Sequence, residues 1–192
     1  LDPGRVAAVS WVADAAAAIT TEDMIEVDRV MVDDLHIELI QMMENAGRQV
    51  AHVVRSLVGP RRAWVAVGTG GNGGGGLVAA RHLANAGLDS LRGAPRGVSA
   101  DLIGAMNRST APTVSLDVPS GLDATTGATP GAAVNANATG TLAAPKTGLL
   151  GSEHVGELFV ADISVPPDVI VRGGGAPGPF GSDGLVRVRP ST

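Results

Sequence analysis

Apolar residues at Ile40, Met43, Val50, Val53, Val54 and Leu57 recur at helical spacing and predict a helix over residues 37–57. A second amphipathic stretch places Met24, Val27, Val30 and Met31 on one face. It opens on Thr20-Thr21-Glu22-Asp23, where a hydroxyl is followed three residues later by an acid as in a capping box, and it closes at Asp33-Asp34. The alanine-rich stretch 7–18 predicts a further short helix, and helices are also predicted over 77–86 and 98–107. β-runs stand at 63–67, 113–117, 157–163 and 185–188, with 133–144 as another candidate. Strands alternating with helices define an α/β domain.

Two stretches break this rhythm. Residues 87–97 contain no β-run, so the helices at 77–86 and 98–107 follow each other with no strand between them, which leaves the crossover incomplete. Residues 173–179 are too rich in glycine and proline for regular structure.

Composition narrows the function more than the fold. The 192 residues suffice for one domain with a real core, and no repeat or second domain divides residues 1–192. Aromatic residues make up only 2%, so the core must be built from Ala, Val, Leu, Ile and Met. A net charge of -5 with scattered arginines offers no basic footprint, and nucleic-acid binding is not expected. The absence of cysteine rules out disulfides and thiolate chemistry, in keeping with an expected cytoplasmic location. The apolar stretch 6–19 is interrupted by Ser10 and Asp14 and falls short of the roughly 20 residues that span a bilayer. Neither a membrane segment nor a secretory signal is expected.

Two sites carry candidate chemistry. The first β-run feeds Gly68-Thr69-Gly70-Gly71-Asn72-Gly73-Gly74-Gly75-Gly76, seven glycines in nine residues ahead of a helix. Such a loop lets backbone N–H groups cradle an anion such as a phosphate, the alternative being a flexible turn. The second is Asp117-Val118-Pro119-Ser120-Gly121-Leu122-Asp123, which sets a carboxylate at the C-terminal end of a strand, on the edge where open α/β sheets bind ligands. An Asx-type turn that only satisfies local backbone is the alternative there. Glu44 and Asn45 read as a solvated helix face and a helix-interior hydrogen bond, and His82 is assigned no role.

Read together, the glycine loop, the turn 116–123, Leu142-Ala143-Ala144-Pro145-Lys146-Thr147-Gly148-Leu149 and Met43-Glu44-Asn45-Ala46-Gly47 resemble the YjeF N-terminal domain family, the NAD(P)H-hydrate epimerases. The resemblance covers most of residues 20–167. It implies a Rossmann-like three-layer sandwich with a mainly parallel central sheet and helices on both faces. It also implies a homodimer that interconverts the R and S forms of hydrated NADH and NADPH beside a bound potassium ion. Carried over residue by residue, Asn72 and Ser120 would ligate potassium. Gly71, Asn72, Gly73, Gly74 and Gly75 would line the substrate, and Asp117 would contact it as the catalytic acid and base. Ser90, Leu91, Arg92 and Gly93 resemble the substrate loop, and Lys146 would approach a phosphate. A catalytically retired binding scaffold is the alternative.

The sequence departs from the family pattern twice. Gly75 stands where the family usually carries an aspartate. Two strands and a helix that the family places before the equivalent of Ser90 have no counterpart, and Asp89 is out of register for the cation-holding aspartate of the second of those strands. A segment is therefore expected to be missing between Leu88 or Asp89 and Ser90. An unbroken Cα spacing of about 3.8 Å across 87–91 would instead mark a shortened relative.

Overall fold

The computed structural model describes residues 9–58, 63–68, 70–86, 90–93 and 99–190. Seven strands and five helices follow in the order β1 (Val9–Ala13), α1 (Thr21–Arg29), α2 (Leu39–Val58), β2 (Ala63–Ala66), α3 (Gly71–Asn85), β3 (Ser90–Gly93), α4 (Ser99–Arg108), β4 (Val114–Leu116), β5 (Ala138–Leu142), β6 (Glu157–Ala161), α5 (Pro167–Arg172) and β7 (Leu185–Pro190). Five strands form one sheet in the order β1-β7-β6-β5-β4, and β2 pairs with β3 in a separate two-stranded sheet. Every pairing is parallel except β6 with β7. The fold is thus α/β with a mostly parallel sheet, as expected.

Three elements differ from the sequence reading. Where a helix was expected over 7–18, Val9–Ala13 forms a strand whose partner β7 lies at the other end of the chain, with Val9 opposite Val186 and Ala13 opposite Pro190. Alanine-rich composition favours a helix locally, and the long-range ladder overrides it. Residues 90–93 form β3 alongside β2, with Ala63 opposite Ser90 and Ala66 opposite Gly93. The run Ser-Leu-Arg-Gly is too short and too polar to announce a strand, so the expectation of no strand in 87–97 is corrected. Helix α3 begins at Gly71, six residues before the expected start, and takes the end of the glycine run into its first turns.

α1 opens on the anticipated capping box: Asp23 N donates to Thr20 Oγ1 at 3.1 Å while Thr20 N donates to Asp23 Oδ2 at 2.9 Å. A single π-helical turn, Val30–Asp34, carries it to the acidic end at Asp33-Asp34. The core alternates across β6. Phe159 and Ala161 face Val53 and Leu57 of α2 together with Leu185. Leu158 and Val160 face Leu122, Leu149 and Val155 on the other side, where connecting segments supply the cover. α4 sets Ile103 and Met106 against Val134 and Ala136. Among the described residues no helix is long and apolar enough to cross a membrane.

Because β4, β5 and β6 run in the same direction, their C-terminal ends share one edge. That edge brings the segment after β4, with Asp117, beside the segment after β5, with Lys146.

Candidate active site

Strand β4 ends at Leu116, and Asp117 takes φ 65°, a left-handed conformation that Asp adopts more readily than most residues. Its N–H still donates to Gly140 O at 2.8 Å, continuing the β4–β5 ladder. In a regular parallel pair the next bond would run from Leu142 N–H to the backbone carbonyl of residue 117. Here Leu142 N donates to the Asp117 side chain instead, at 3.2 Å from Oδ1. The carboxylate takes the carbonyl's place in the ladder, which fixes it at the sheet edge.

Oδ1 is crowded by donors: Lys146 Nζ at 2.6 Å, Thr141 Oγ1 at 3.1 Å and Leu142 N. Oδ2 accepts from Asn72 Nδ2 at 3.2 Å and from no other described group. The Lys146 side chain is only 4% exposed and that of Asp117 16%. Lys146 also donates to Leu142 O at 2.8 Å and to Thr141 Oγ1 at 3.2 Å, so its three protons all have inward partners. Burial alone would push the Asp117 carboxyl up, but the adjacent Lys146 charge and the hydrogen bonds from Lys146, Leu142 and Asn72 outweigh it and hold the group below the usual carboxylate range.

The glycine segment meets this carboxylate end-on. Gly70 caps α3, Gly73 N donates to Gly70 O at 2.9 Å, and Asn72 in the first turn reaches across to Asp117. A Cβ on Gly73 would lie 2.1 Å from Gly68 O, so the backbone there approaches itself more closely than any side chain permits. At Gly75 an added Cβ would only touch Leu116 Cδ1 at 3.5 Å, an ordinary contact. Gly73→Ala is therefore expected to cost about 1–3 kcal/mol, the usual price of overpacking. Gly75→Ala is expected to stabilise the helix by about 0.4–1 kcal/mol. Urea denaturation of the two variants beside the parent checks both signs.

The other expected residues fall as follows. Ser120 is exposed in the turn after Asp117, where its carbonyl accepts from Val134 N at 2.9 Å and its hydroxyl has no partner among the described residues. Ser90, Leu91, Arg92 and Gly93 lie in β3, and the parallel pairing sets Gly93 opposite Ala66, two residues before Gly68. The backbone of that segment therefore ends near the glycine loop, but as a strand and not as a loop. Asp89 and the break expected beside it lie outside the described residues. Lys146, expected near a phosphate, has its ammonium turned inward onto Asp117. Glu44 is more than a solvated residue: it bridges α2 to α3 through Arg81 and through His82 Nε2 at 2.8 Å. Asn45 donates to Ser164 Oγ at 3.1 Å and ties α2 to the segment after β6. Thr141 was missed altogether. Its one signal is the pair of hydroxyls at 139 and 141, two apart and so on one face of a strand whose surroundings are apolar.

Among the described residues no group of three or more His, Cys, Asp or Glu side chains gathers to hold a metal. The donor set does fit a hard monovalent cation. Asn72 spends its Nδ2 on Asp117, which leaves its oxygen without a partner among the described residues, and the Ser120 hydroxyl is equally unspent.

A mostly parallel sheet, a glycine-rich helix start and a carboxylate at the facing strand end define a Rossmann-like α/β domain. More narrowly, the chain belongs to the family described as YjeF-related protein N-terminus, whose profile matches residues 39–92 and 88–148. It is 39% identical over 233 aligned positions to the NAD(P)H-hydrate epimerase of Dehalogenimonas lykanthroporepellens, covering 92% of this chain and 95% of that protein. It is 36% identical to the bifunctional NAD(P)H-hydrate repair enzyme Nnr of Hyperthermus butylicus, over 90% of this chain but only 42% of that enzyme. The fold is that of the crystal structure of yeast YNL200c, with a TM-score of 0.73 at 20% identity, covering 88% of this chain and 99% of that one.

Proposed function

We propose that this chain is an NAD(P)H-hydrate epimerase, an isomerase that interconverts the R and S forms of hydrated NADH and NADPH. The observation that carries the reading is the carboxylate of Asp117, held at the end of β4 with one oxygen facing Asn72 at the glycine-rich start of α3. Loss of hydroxide from C6 of the hydrated ring leaves a cation shared by C6 and N1, and return of hydroxide to the opposite face completes the inversion. A buried carboxylate suits that sequence, because its charge stabilises the cation and its free oxygen can guide the incoming water. The Lys146 ion pair alters the expected roles: Asp117 rests as a carboxylate, so it stabilises the cation and takes the proton that the incoming water gives up, while the departing hydroxide takes its proton from solvent.

Gly71, Gly73, Gly74 and Gly75 would clear space for the nucleotide, with the backbone of Ser90, Leu91, Arg92 and Gly93 at its side. Asn72 and Ser120 would hold the potassium ion, which supplies a fixed positive charge beside an anionic substrate when bound. A homodimer in the cytoplasm completes the reading and rests on the family resemblance.

The reading also includes a missing segment between Leu88 or Asp89 and Ser90. Its support is that the two family matches overlap at residues 88–92, and that the 233 positions aligned to the Dehalogenimonas protein outnumber the 192 residues of this chain. A tryptic digest of the protein from its native cells tests this. The peptide His82–Arg92 should be absent, and its detection as one contiguous peptide would mark a naturally shortened relative. For the activity, the purified chain is incubated with the R epimer of hydrated NADH and the S epimer is followed by chromatography. A rate above the spontaneous one is expected; equality with the spontaneous rate would leave the scaffold reading in its place.

A further inference from the structure

We propose that Thr141 and Lys146 are positioning residues that lock the Asp117 carboxylate from the inside, so that Oδ2 alone is the working atom. The inference rests on the epimerase reading and deepens it. Three donors converge on Oδ1: the ammonium of Lys146, the hydroxyl of Thr141 and the N–H of Leu142. Together they occupy the lone-pair directions that this oxygen offers. Thr141 is fully buried and Lys146 nearly so, so water cannot stand in for either without a cavity. Oδ2 has only Asn72 and is the one carboxylate atom left to meet a ligand. The positive φ of Asp117 sharpens the requirement. A residue that leaves the strand in a left-handed conformation has no sheet register to aim its side chain, and these three donors do the aiming.

Lys146 and Thr141 also hold each other, with Nζ 3.2 Å from Oγ1, so the hydroxyl both receives from the ammonium and gives to the carboxylate. The hydroxyl proton is therefore directed at Oδ1 by its own surroundings. This arrangement accounts for the buried hydroxyl of Thr141. Thr139, two residues earlier and equally buried, spends its hydroxyl on Val155 O at 2.8 Å and has no part in the lock.

The two threonines make a matched test. Thr141→Val keeps the shape and removes the hydroxyl, and it is expected to lower kcat roughly ten- to a hundredfold with KM unchanged, as befits loss of a hydrogen bond to a charged group. Thr141→Ser should restore most of kcat. Thr139→Val removes an equivalent buried hydroxyl and should leave kcat at the parental value even if stability falls. Crystal structures of the parent and of Thr141→Val give a reading independent of turnover: Oδ2 should leave hydrogen-bond reach of Asn72 in the variant. Thr141→Val with parental kcat, or with an unmoved carboxylate, would overturn the inference. Equal losses of kcat in Thr139→Val and Thr141→Val would overturn it too, since that pattern marks general destabilisation. If the parent has no activity, the epimerase reading fails by itself, and the position of the carboxylate still decides the lock. Should Thr141→Val not fold, Thr141→Ala takes its place in both measurements.

Discussion

Lys146→Met is expected to destabilise the protein by about 3–5 kcal/mol, because it strips the counter-charge from a buried carboxylate. The Asp117 side chain is only 16% exposed and lies 2.6 Å from the Lys146 ammonium, so solvent cannot take over the lysine's role. Methionine fills most of the lysine's volume, which keeps cavity formation out of the comparison. Adding Asp117→Asn in the same chain should recover most of the loss. Asparagine tolerates the positive φ at this position, its oxygen can still accept from Thr141 and Leu142, and no unpaired charge remains. Chemical denaturation of the parent, the single variant and the double variant reads the effect directly. A single variant as stable as the parent would mean that the pair is far better solvated than its burial indicates.

Asp117→Asn alone carries the largest expected effect on activity, a loss of about 10²–10⁴-fold, the range spanned by removal of a positioned acid–base group. The change is nearly isosteric and keeps hydrogen bonding at Oδ1, while Lys146 loses its counter-charge but keeps Thr141 and Leu142 as acceptors, so stability falls and circular dichroism verifies that the variant is folded. What disappears is the negative charge facing Asn72 and the cation formed at C6. The double variant Asp117→Asn/Lys146→Met should be equally inactive although its stability recovers. Stability and turnover then separate at a single site, as expected where a buried charge is retained for chemistry.

The helices α2 and α4 and the strands β2, β4, β6 and β7 were legible in the sequence because each carries apolar residues at helical spacing or in a short apolar run. β1 was not: nothing near Val9–Ala13 reveals that its partner is β7, and alanine content argues for a helix until the ladder forms. β3 hides for a related reason, since four residues paired only to β2 carry too little pattern to be seen. The start of α3 was masked by glycine itself. Low helix propensity suggests a loop at residues 71–76, yet the close approach of Gly73 to Gly68 requires glycine within the helical turn.

The site divides along the same line. Asp117 was visible as an acid ending a strand, and Asn72 as the polar residue of a glycine run. Lys146 was visible as a residue but not as a partner. The resemblance sends this lysine toward a phosphate, and only the parallel run of β4 and β5 turns it onto Asp117. Thr141 gave still less sign, because a hydroxyl in a strand has many uses and its target lies 24 residues away.

The most direct test of the central claim is the rate at which the pure R epimer of hydrated NADH becomes the S epimer, measured side by side for the parent and a folded Asp117→Asn variant. Conversion well above the spontaneous rate is expected for the parent, with a fall toward the spontaneous rate for the variant. Equal rates for the two proteins would contradict that claim.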